Sequence, residues 1–131
     1  MHYIVADDAG KLILRLTVGV LLLLHGLAKI STGVGGISGM LTKVGLPAEL
    51  AYGIYIGEIL APVMVILGFY ARLGALIIVI NMLFAIGLVH MKDLLVRNSG
   101  GGWGIELQAF FLLTALVVVL IGPGRYAVNR R

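Results

Sequence analysis

Long apolar runs alternate along this chain with short polar or glycine-rich connections. Four runs are near twenty residues in length, and they cover about 10–30, 47–69, 72–91 and 104–121. Each run is long enough to cross a hydrocarbon core of roughly 30 Å at about 1.5 Å per residue. Lipid offers no hydrogen-bond partners to backbone amides, so such spans must be helical. The pattern therefore predicts an all-α integral membrane protein, a bundle of four transmembrane helices.

The connection between the first two runs predicts a further, shorter helix. It is rich in glycine, yet Ile37, Met40, Leu41 and Val44 recur at helical spacing. One apolar stripe of this length is typical of an amphipathic helix at the membrane interface, with Lys43 on its polar face. We expect this interfacial helix between spans 1 and 2.

Composition supports the same class. Apolar residues make up 60% of the chain and charged residues 12%, and the mean hydropathy is +1.09. These values lie far outside those of soluble proteins. A length of 131 residues leaves room for a single domain, which we assign to 1–131. The net charge of +4 then indicates topology and an attraction to anionic headgroups, and no nucleic-acid partner is expected.

Basic residues are unequally divided between the two predicted sides of the membrane. One side holds Lys11, Arg15, Arg72, Arg125, Arg130 and Arg131, and the other holds Lys29, Lys43, Lys92 and Arg97. The positive-inside rule then places both termini in the cytoplasm. A signal peptide is the alternative for the first run. Asp7 and Asp8 are unfavourable for one, so we predict a true first helix.

The chain contains no cysteine. A disulfide relay, a thiolate nucleophile, covalently attached haem and an iron–sulfur cluster on cysteine ligands are therefore excluded for this chain. Any redox chemistry needs a bound cofactor or a partner subunit.

Polar residues inside the spans are the candidate functional groups, and Glu58 is the most informative. An acidic residue at a helix centre costs roughly 2.5 to 3.5 kcal/mol, so Glu58 should have a partner, a proton or a task. Counting about 1.5 Å per residue puts Arg15 near the inner end and Glu58 with Asn81 at the midplane. The same count puts four residues near the outer end, below Trp103 and the 32–45 segment: His25, Lys29, His90 and Glu106.

Each of these groups also has a purely structural interpretation. Arg15 and Lys29 can extend to the two headgroup layers, and His25 can be a neutral histidine bonded to a carbonyl. Glu106 suits a helix N-terminus, and Glu58 can be a protonated acid that fixes packing against Asn81. The histidines and glutamates also offer metal ligands, but no pair has a recognised metal spacing, so no metal site is predicted.

Small residues form a ridge on the second span, at Gly53, Gly57 and Ala61. Such a small-xxx-small pattern lets a neighbouring helix approach closely, either within the chain or in a homo-oligomer. Pro62 follows the ridge and lacks an N–H group, so it should leave the carbonyl of Glu58 without its helical donor. We predict either a polar pocket or an ordinary proline kink at this place.

Taken together, these motifs resemble the DoxX family of four-helix membrane proteins. The matching segments are R-L-T-V-G-V-L-L-L-L-H-G-L-A-K from Arg15, Gly57-Glu58, G-F-Y-A-R-L-G-A-L from Gly68, Trp103 with Glu106, and G-P-G-R-Y from Gly122. The family usually ends G-P-G-x-x-S-x-D, whereas Ala127 and Asn129 stand where serine and aspartate are expected. This departure puts a role for the tail in doubt.

The resemblance implies a membrane subunit or small enzyme of quinone-linked redox chemistry in a bacterial inner membrane. Glu58, His25 and Glu106 would be catalytic, with a soluble or membrane oxidoreductase subunit as a partner. The quinone-binding positions would be Arg15, His25, Lys29, Asn81, His90 and Trp103. Two alternatives remain. One is a proton-coupled exporter that uses Glu58, and the other is a structural anchor for a soluble enzyme.

Overall fold

A computed structural model describes residues 2–33, 35–88, 101–102, 104–129 and 131, and these residues contain helices and no strand. The helices are α1 (His2–Thr32), α2 (Gly35–Lys43), α3 (Ala48–Leu67), α4 (Ala71–Leu88) and α5 (Glu106–Ile121). The all-helical prediction is confirmed for the described residues. The main difference from the predicted runs is at the first helix: α1 begins at His2, whereas the first apolar run begins near Gly10.

Two of the helices are long and apolar enough to cross a membrane. They are the Ala6–Ala28 part of α1 and the whole of α3, Ala48–Leu67. The apolar parts of the other two long helices, Ala71–Gly87 and Glu106–Ile121, are shorter. The fold is therefore compatible with a helical membrane bundle, and the count of four spans stays a prediction.

One core joins α1, α3, α4 and α5. Its buried residues are Val18, Leu22, Ala61, Val65, Ala75, Ile78, Met82, Phe111, Ala115 and Val118. Large apolar side chains also cover the outside of the bundle, where Ile13, Phe110 and Leu120 are 65%, 60% and 70% exposed. An apolar exterior around an apolar core is what a helix bundle in lipid requires.

The predicted short helix between the first two spans is present as α2. Among the described side chains of α2, Leu41 is fully buried and packs with Ala51 and Tyr55 of α3, whereas Met40 and the following Val44 are exposed. The apolar stripe is thus divided between a contact with the protein and an outward surface. The position of α2 at the membrane interface stays a prediction.

Helix α3 is not a regular α-helix. It begins with a 3₁₀ segment, Ala48–Tyr52, and after one α-helical turn it continues as a π-helical turn, Ile56–Leu60. The N–H of Ala61 donates to the carbonyl of Ile56, five residues earlier. Pro62 has no N–H to donate to Glu58, four residues earlier, so the α-helical bond is missing there. Turns of this π type are frequent at functional sites.

The C-terminal tail packs against the turn between α3 and α4. The N–H groups of Val128 and Asn129 donate to the carbonyls of Leu67 and Gly68, at 3.1 and 3.2 Å. The side-chain oxygen of Asn129 accepts the N–H of Tyr70 at 3.0 Å. Tyr70 has a positive φ of 49°, and this bond holds the strained residue in place. Asn129 therefore supplies the acceptor oxygen that an aspartate would supply, so the tail has a structural task.

Candidate functional site

Glu58 is buried in the π-helical turn of α3, with only 4% of its surface exposed. Helix α4 packs on Gly57, the residue before Glu58. A Cβ atom added to Gly57 would lie 2.5 to 2.8 Å from the side-chain atoms of Asn81, which shows how closely Asn81 packs on this turn. Asn81 is half-buried and lies at the level of Glu58, where the depth count placed it.

Helix α1 meets the same turn from another side, through Gly26. A Cβ atom added to Gly26 would overlap the carbonyl oxygen of Glu58 and lie 2.8 Å from Cγ1 of Ile59. This is the carbonyl that Pro62 leaves without an α-helical donor. Glycine is required because only its Cα hydrogens allow two backbones to approach so closely. The π-helical turn of α3 and α1 are therefore in direct backbone contact at Gly26.

His25 lies next to this contact but on the surface of the bundle. Its ring is edge-on to Phe111 of α5, with the centroids 5.7 Å apart and an angle of 84° between the planes. His25 is exposed, whereas Phe111 is buried. We refer to this place, where α1 meets α5 beside the turn that carries Glu58, as the His25 seam.

Two predictions about His25 were wrong. It was expected to face inward, but Gly19 and Gly26 occupy the face of α1 that packs on α3, and His25 is rotated by about 100° from Gly26. It was also expected in a layer further out than Glu58, but its neighbour Gly26 touches the backbone of Glu58. The depth count assumed parallel α-helices of uniform rise, and the 3₁₀ and π segments of α3 break that assumption.

Arg15 is fully buried, but away from the His25 seam. Its Nη1 donates to the carbonyls of Val65 and Ile66 at 3.1 and 3.3 Å, and its Nη2 donates to the carbonyl of Tyr126. Its Nε has no hydrogen-bond partner among the described residues. Arg15 therefore joins α1 to the end of α3 and to the tail. These contacts favour a structural role over the quinone-binding role expected from the sequence.

Glu106 is the first residue of α5 and is exposed, so it does not face inward as predicted. A Cβ atom added to Gly102 would lie 2.9 Å from its Oε2, so the carboxylate lies back over the chain that enters the helix. This position favours the interpretation of Glu106 as a helix N-terminal acid. Glu106 precedes Phe111 by five residues, or about 7.5 Å along the axis.

The rest of the predicted outer pocket lies outside the described part of the chain. This applies to His90, to Trp103 and to the side chain of Lys29. The convergence of these residues with His25 and Glu106 stays a prediction. Among the described residues, no group of three or more His, Cys, Asp or Glu could hold a metal ion.

Most of the small-residue ridge of Gly53, Gly57 and Ala61 packs against α4 of the same chain. Asn81 covers Gly57, and Ala61 is fully buried, with its carbonyl oxygen 3.0 Å from a Cβ atom built on Gly74 of α4. Gly53 is exposed and has open space above it. A homo-oligomer through this ridge, which stays a prediction, has only Gly53 available at the surface.

Comparison with known proteins gives the family. A sequence profile described as DoxX matches residues 10–91, which include His25, Glu58 and Asn81. The chain belongs to the DoxX family. The matched region contains the contact between Gly26 and Glu58, but it excludes Glu106 and the tail.

Three relatives match most of the chain. A Bacillus subtilis (strain 168) protein named "Putative oxidoreductase CatD" is 29% identical over 93% of this chain and 86% of its own length. A Haemophilus influenzae protein named "Uncharacterized protein" is 30% identical, with 90% of this chain and 87% of its own length covered. "Uncharacterized membrane protein Rv3486" of Mycobacterium tuberculosis is 28% identical, with 90% and 78% covered. No solved structure matches the chain significantly.

Two residues of the site were missed by the sequence reasoning, Gly26 and Phe111. Gly26 had a detectable signal, because Gly19 and Gly26 are seven residues apart and so share one face of α1. Phe111 had none, since aromatic residues in an apolar run are usual in a membrane helix.

Proposed function

We propose that this DoxX protein is a membrane subunit or small enzyme of quinone-linked redox chemistry, and that the quinone head binds at the His25 seam. The observation that carries the proposal is an exposed imidazole on an apolar surface, one residue along α1 from the glycine that packs on the backbone of the buried Glu58. His25 is reached from the outside of the bundle, and its neighbour Gly26 lies on the backbone of Glu58. A substrate dissolved in lipid would meet His25 first.

The residues at the seam fit a quinone head. A quinone is a flat ring with two carbonyl acceptors and an apolar tail, and it supplies electron-accepting chemistry when bound. The imidazole of His25 can donate a hydrogen bond to one carbonyl, and the exposed apolar surface beside it suits the tail. Glu58 is a buried carboxyl group beside the seam, and a carboxyl group is one of the side chains that can transfer a proton.

The other predicted site residues would position the Glu58 turn or complete the outer part of the site. Asn81 would orient the Glu58 turn from α4, since its side chain packs on Gly57. Lys29, His90, Glu106 and Trp103 would form the outer part of the site. The relative named as an oxidoreductase adds support for redox chemistry in the family.

Mass spectrometry of small molecules that remain bound after mild detergent extraction tests the proposal directly. We expect a quinone to be retained. We expect His25→Ala to weaken quinone binding about ten-fold. The variant would lose the hydrogen bond from the imidazole to the quinone carbonyl and the contact between the imidazole and the quinone ring, which together are worth about 1.4 kcal/mol. Glu58→Gln should keep the fold and the bound quinone but lower quinone turnover in membranes by about 10²-fold, since the amide cannot carry the proton.

Glu49→Gln is the matched control, because Glu49 is an exposed carboxylate on the same helix. It should leave binding and turnover unchanged. Full turnover in Glu58→Gln would reduce Glu58 to a packing residue. Quinone binding that is unchanged in His25→Ala would remove the His25 seam as the site.

Two other functions give different results in the same preparations. A proton-coupled exporter would use Glu58, buried at the centre of the bundle, to bind a proton and a cationic substrate alternately. It would release protons when substrate is added to the purified protein. A structural anchor would retain a soluble or membrane oxidoreductase subunit and no small molecule.

For the topology, we propose four membrane crossings with both termini in the cytoplasm of a bacterial cell. The meeting of the two ends of the chain supports an even number of crossings: the N–H of Arg125 donates to Asp8 at 3.0 Å. A reporter fused after Arg131 should read cytoplasmic, and one inserted at Gly101 should read external. The opposite pattern would reverse the orientation, and two reporters on one side would contradict a membrane crossing by α5.

A further inference from the structure

A cleft opens at the end of the bundle where the two ends of the chain meet. Its volume is about 430 Å³. Its lining comes from the start of α1, the start of α4 and the corner after α5, and consists of Asp8, Lys11, Arg72, Ile121, Pro123, Gly124 and Arg125. None of these residues belongs to the His25 seam, so the cleft is independent of the proposed quinone site.

The Gly122-Pro123-Gly124 corner brings the three cationic residues together. Both glycines have a φ of 80°, a conformation that L side chains rarely adopt. A Cβ atom added to Gly122 would lie 2.7 Å from Nη2 of Arg72, and one added to Gly124 would lie 3.1 Å from Cβ of Lys11. The corner therefore lets cationic side chains from two helices pack directly on its backbone. Arg125 follows the corner immediately.

The charges in the cleft are unevenly compensated. Lys11 is paired with Asp7 at 2.8 Å, and Asp8 accepts the backbone N–H of Arg125 at 3.0 Å. Within the described part of the chain, Lys11–Asp7 is the ion pair at this end, and the guanidinium groups of Arg72 and Arg125 have no carboxylate within ion-pair distance. Arg72 and Arg125 thus line the cleft without a carboxylate partner among the described residues, and their guanidinium groups are available to bind an anion. Guanidinium groups bind phosphate through paired N–H donors.

The cleft lies at the level where the helices of the bundle end. Ile121 is the last residue of α5, Arg72 is the second residue of α4, and the apolar span of α1 begins at Ala6. In a membrane this is the headgroup level. Ile121 and Pro123 provide an apolar wall beside the cations. We propose that the cleft binds the phosphate of an anionic phospholipid, with Arg72 and Arg125 on the phosphate and Ile121 and Pro123 against the glycerol and acyl chains.

Native mass spectrometry of the full chain in mixed micelles tests this proposal. The probes are phosphatidylglycerol and phosphatidylcholine of identical acyl chains, supplied at equal mole fraction. We expect one phosphatidylglycerol to be retained at least about ten-fold more than phosphatidylcholine. The Arg72→Gln/Arg125→Gln variant should lose this preference, because each basic side chain near anionic lipid contributes attraction and the two together account for about ten-fold or more.

Lys43→Gln is the control, since Lys43 is an exposed basic residue on α2, away from the cleft. It should keep the full preference. Far-ultraviolet circular dichroism of each variant separates a lost site from a lost fold. Equal retention of the two lipids, or an unchanged preference in the double variant, would overturn the proposal. Displacement of the lipid by millimolar inorganic phosphate would overturn the lipid assignment and leave a site for free phosphate.

Discussion

Gly26→Ala is expected to separate α1 from α3 and to lower the free energy of unfolding by about 2 to 3 kcal/mol. The added methyl group would overlap the carbonyl oxygen of Glu58 and crowd Ile59. Backbone atoms cannot rotate away as a flexible side chain can, so one of the two helices has to move. Titration of the purified protein with a denaturing detergent, followed by circular dichroism, measures the loss.

The same chain offers a matched control in Gly10→Ala. Gly10 is also in α1, and a Cβ atom added there meets nothing within 4 Å. This variant should change stability by no more than about 0.5 kcal/mol. We also expect Gly26→Ala, but not Gly10→Ala, to weaken quinone binding, because His25 moves with α1. Equal effects of the two variants would show that α1 and α3 do not depend on the close contact between Gly26 and Glu58.

Replacement of Arg15 by methionine should be the most destabilising single change at the other end of the bundle. The guanidinium donates to three backbone carbonyls, those of Val65, Ile66 and Tyr126, and its loss removes this donor from each. The carbonyl of Val65 keeps a second donor, the N–H of Gly68, so the carbonyls of Ile66 and Tyr126 lose most. Unpaired buried polar groups cost about 1 to 3 kcal/mol each, so we expect a loss of about 3 kcal/mol or more. Limited proteolysis should also release the C-terminal tail early in this variant.

Arg15→Lys is a sharper test of the same network. A lysine keeps the charge, but it has a single ammonium group that does not reproduce the planar fork of Arg15. It should therefore recover only part of the stability. Lys43→Met, at an exposed basic position, is the control and should be near neutral. A stable Arg15→Met protein with a protected tail would show that Arg15 only extends to the headgroup layer.

The Gly26 and Arg15 variants test two different parts of the bundle. The end that carries Arg15, the tail and the basic cleft holds the chain ends together. The turn that carries Glu58 is the place where three helices meet closely and where the helical hydrogen bonding is irregular. In a membrane protein, irregular backbone at depth is tolerated only where protein or a cavity surrounds it. The Glu58 turn satisfies this condition through Gly26 and Asn81.

Periodicity and composition alone were sufficient for the helical class, the short helix α2 and the burial of Glu58. The depth count placed Asn81 beside the Glu58 turn, and the resemblance of the motifs indicated the family, which the match over residues 10–91 shows. These features depend on local properties, namely the length of an apolar run, the cost of a charge in lipid and the order of motifs. Such properties are written in the sequence itself.

Only the tertiary structure decided which face of each helix meets a neighbour. His25 lies outside because Gly26 takes the close contact with α3, and Arg15 binds carbonyls of α3 and the tail that lie 50 or more residues away in sequence. The basic cleft forms because the glycine corner after α5 folds onto α1 and α4. Helix rotation and tilt depend on contacts between distant segments, and the π turn in α3 shifts the register of every residue after it. A residue count along straight helices cannot include these effects, which is why the layers were predicted well for Glu58 and Asn81 and wrongly for His25.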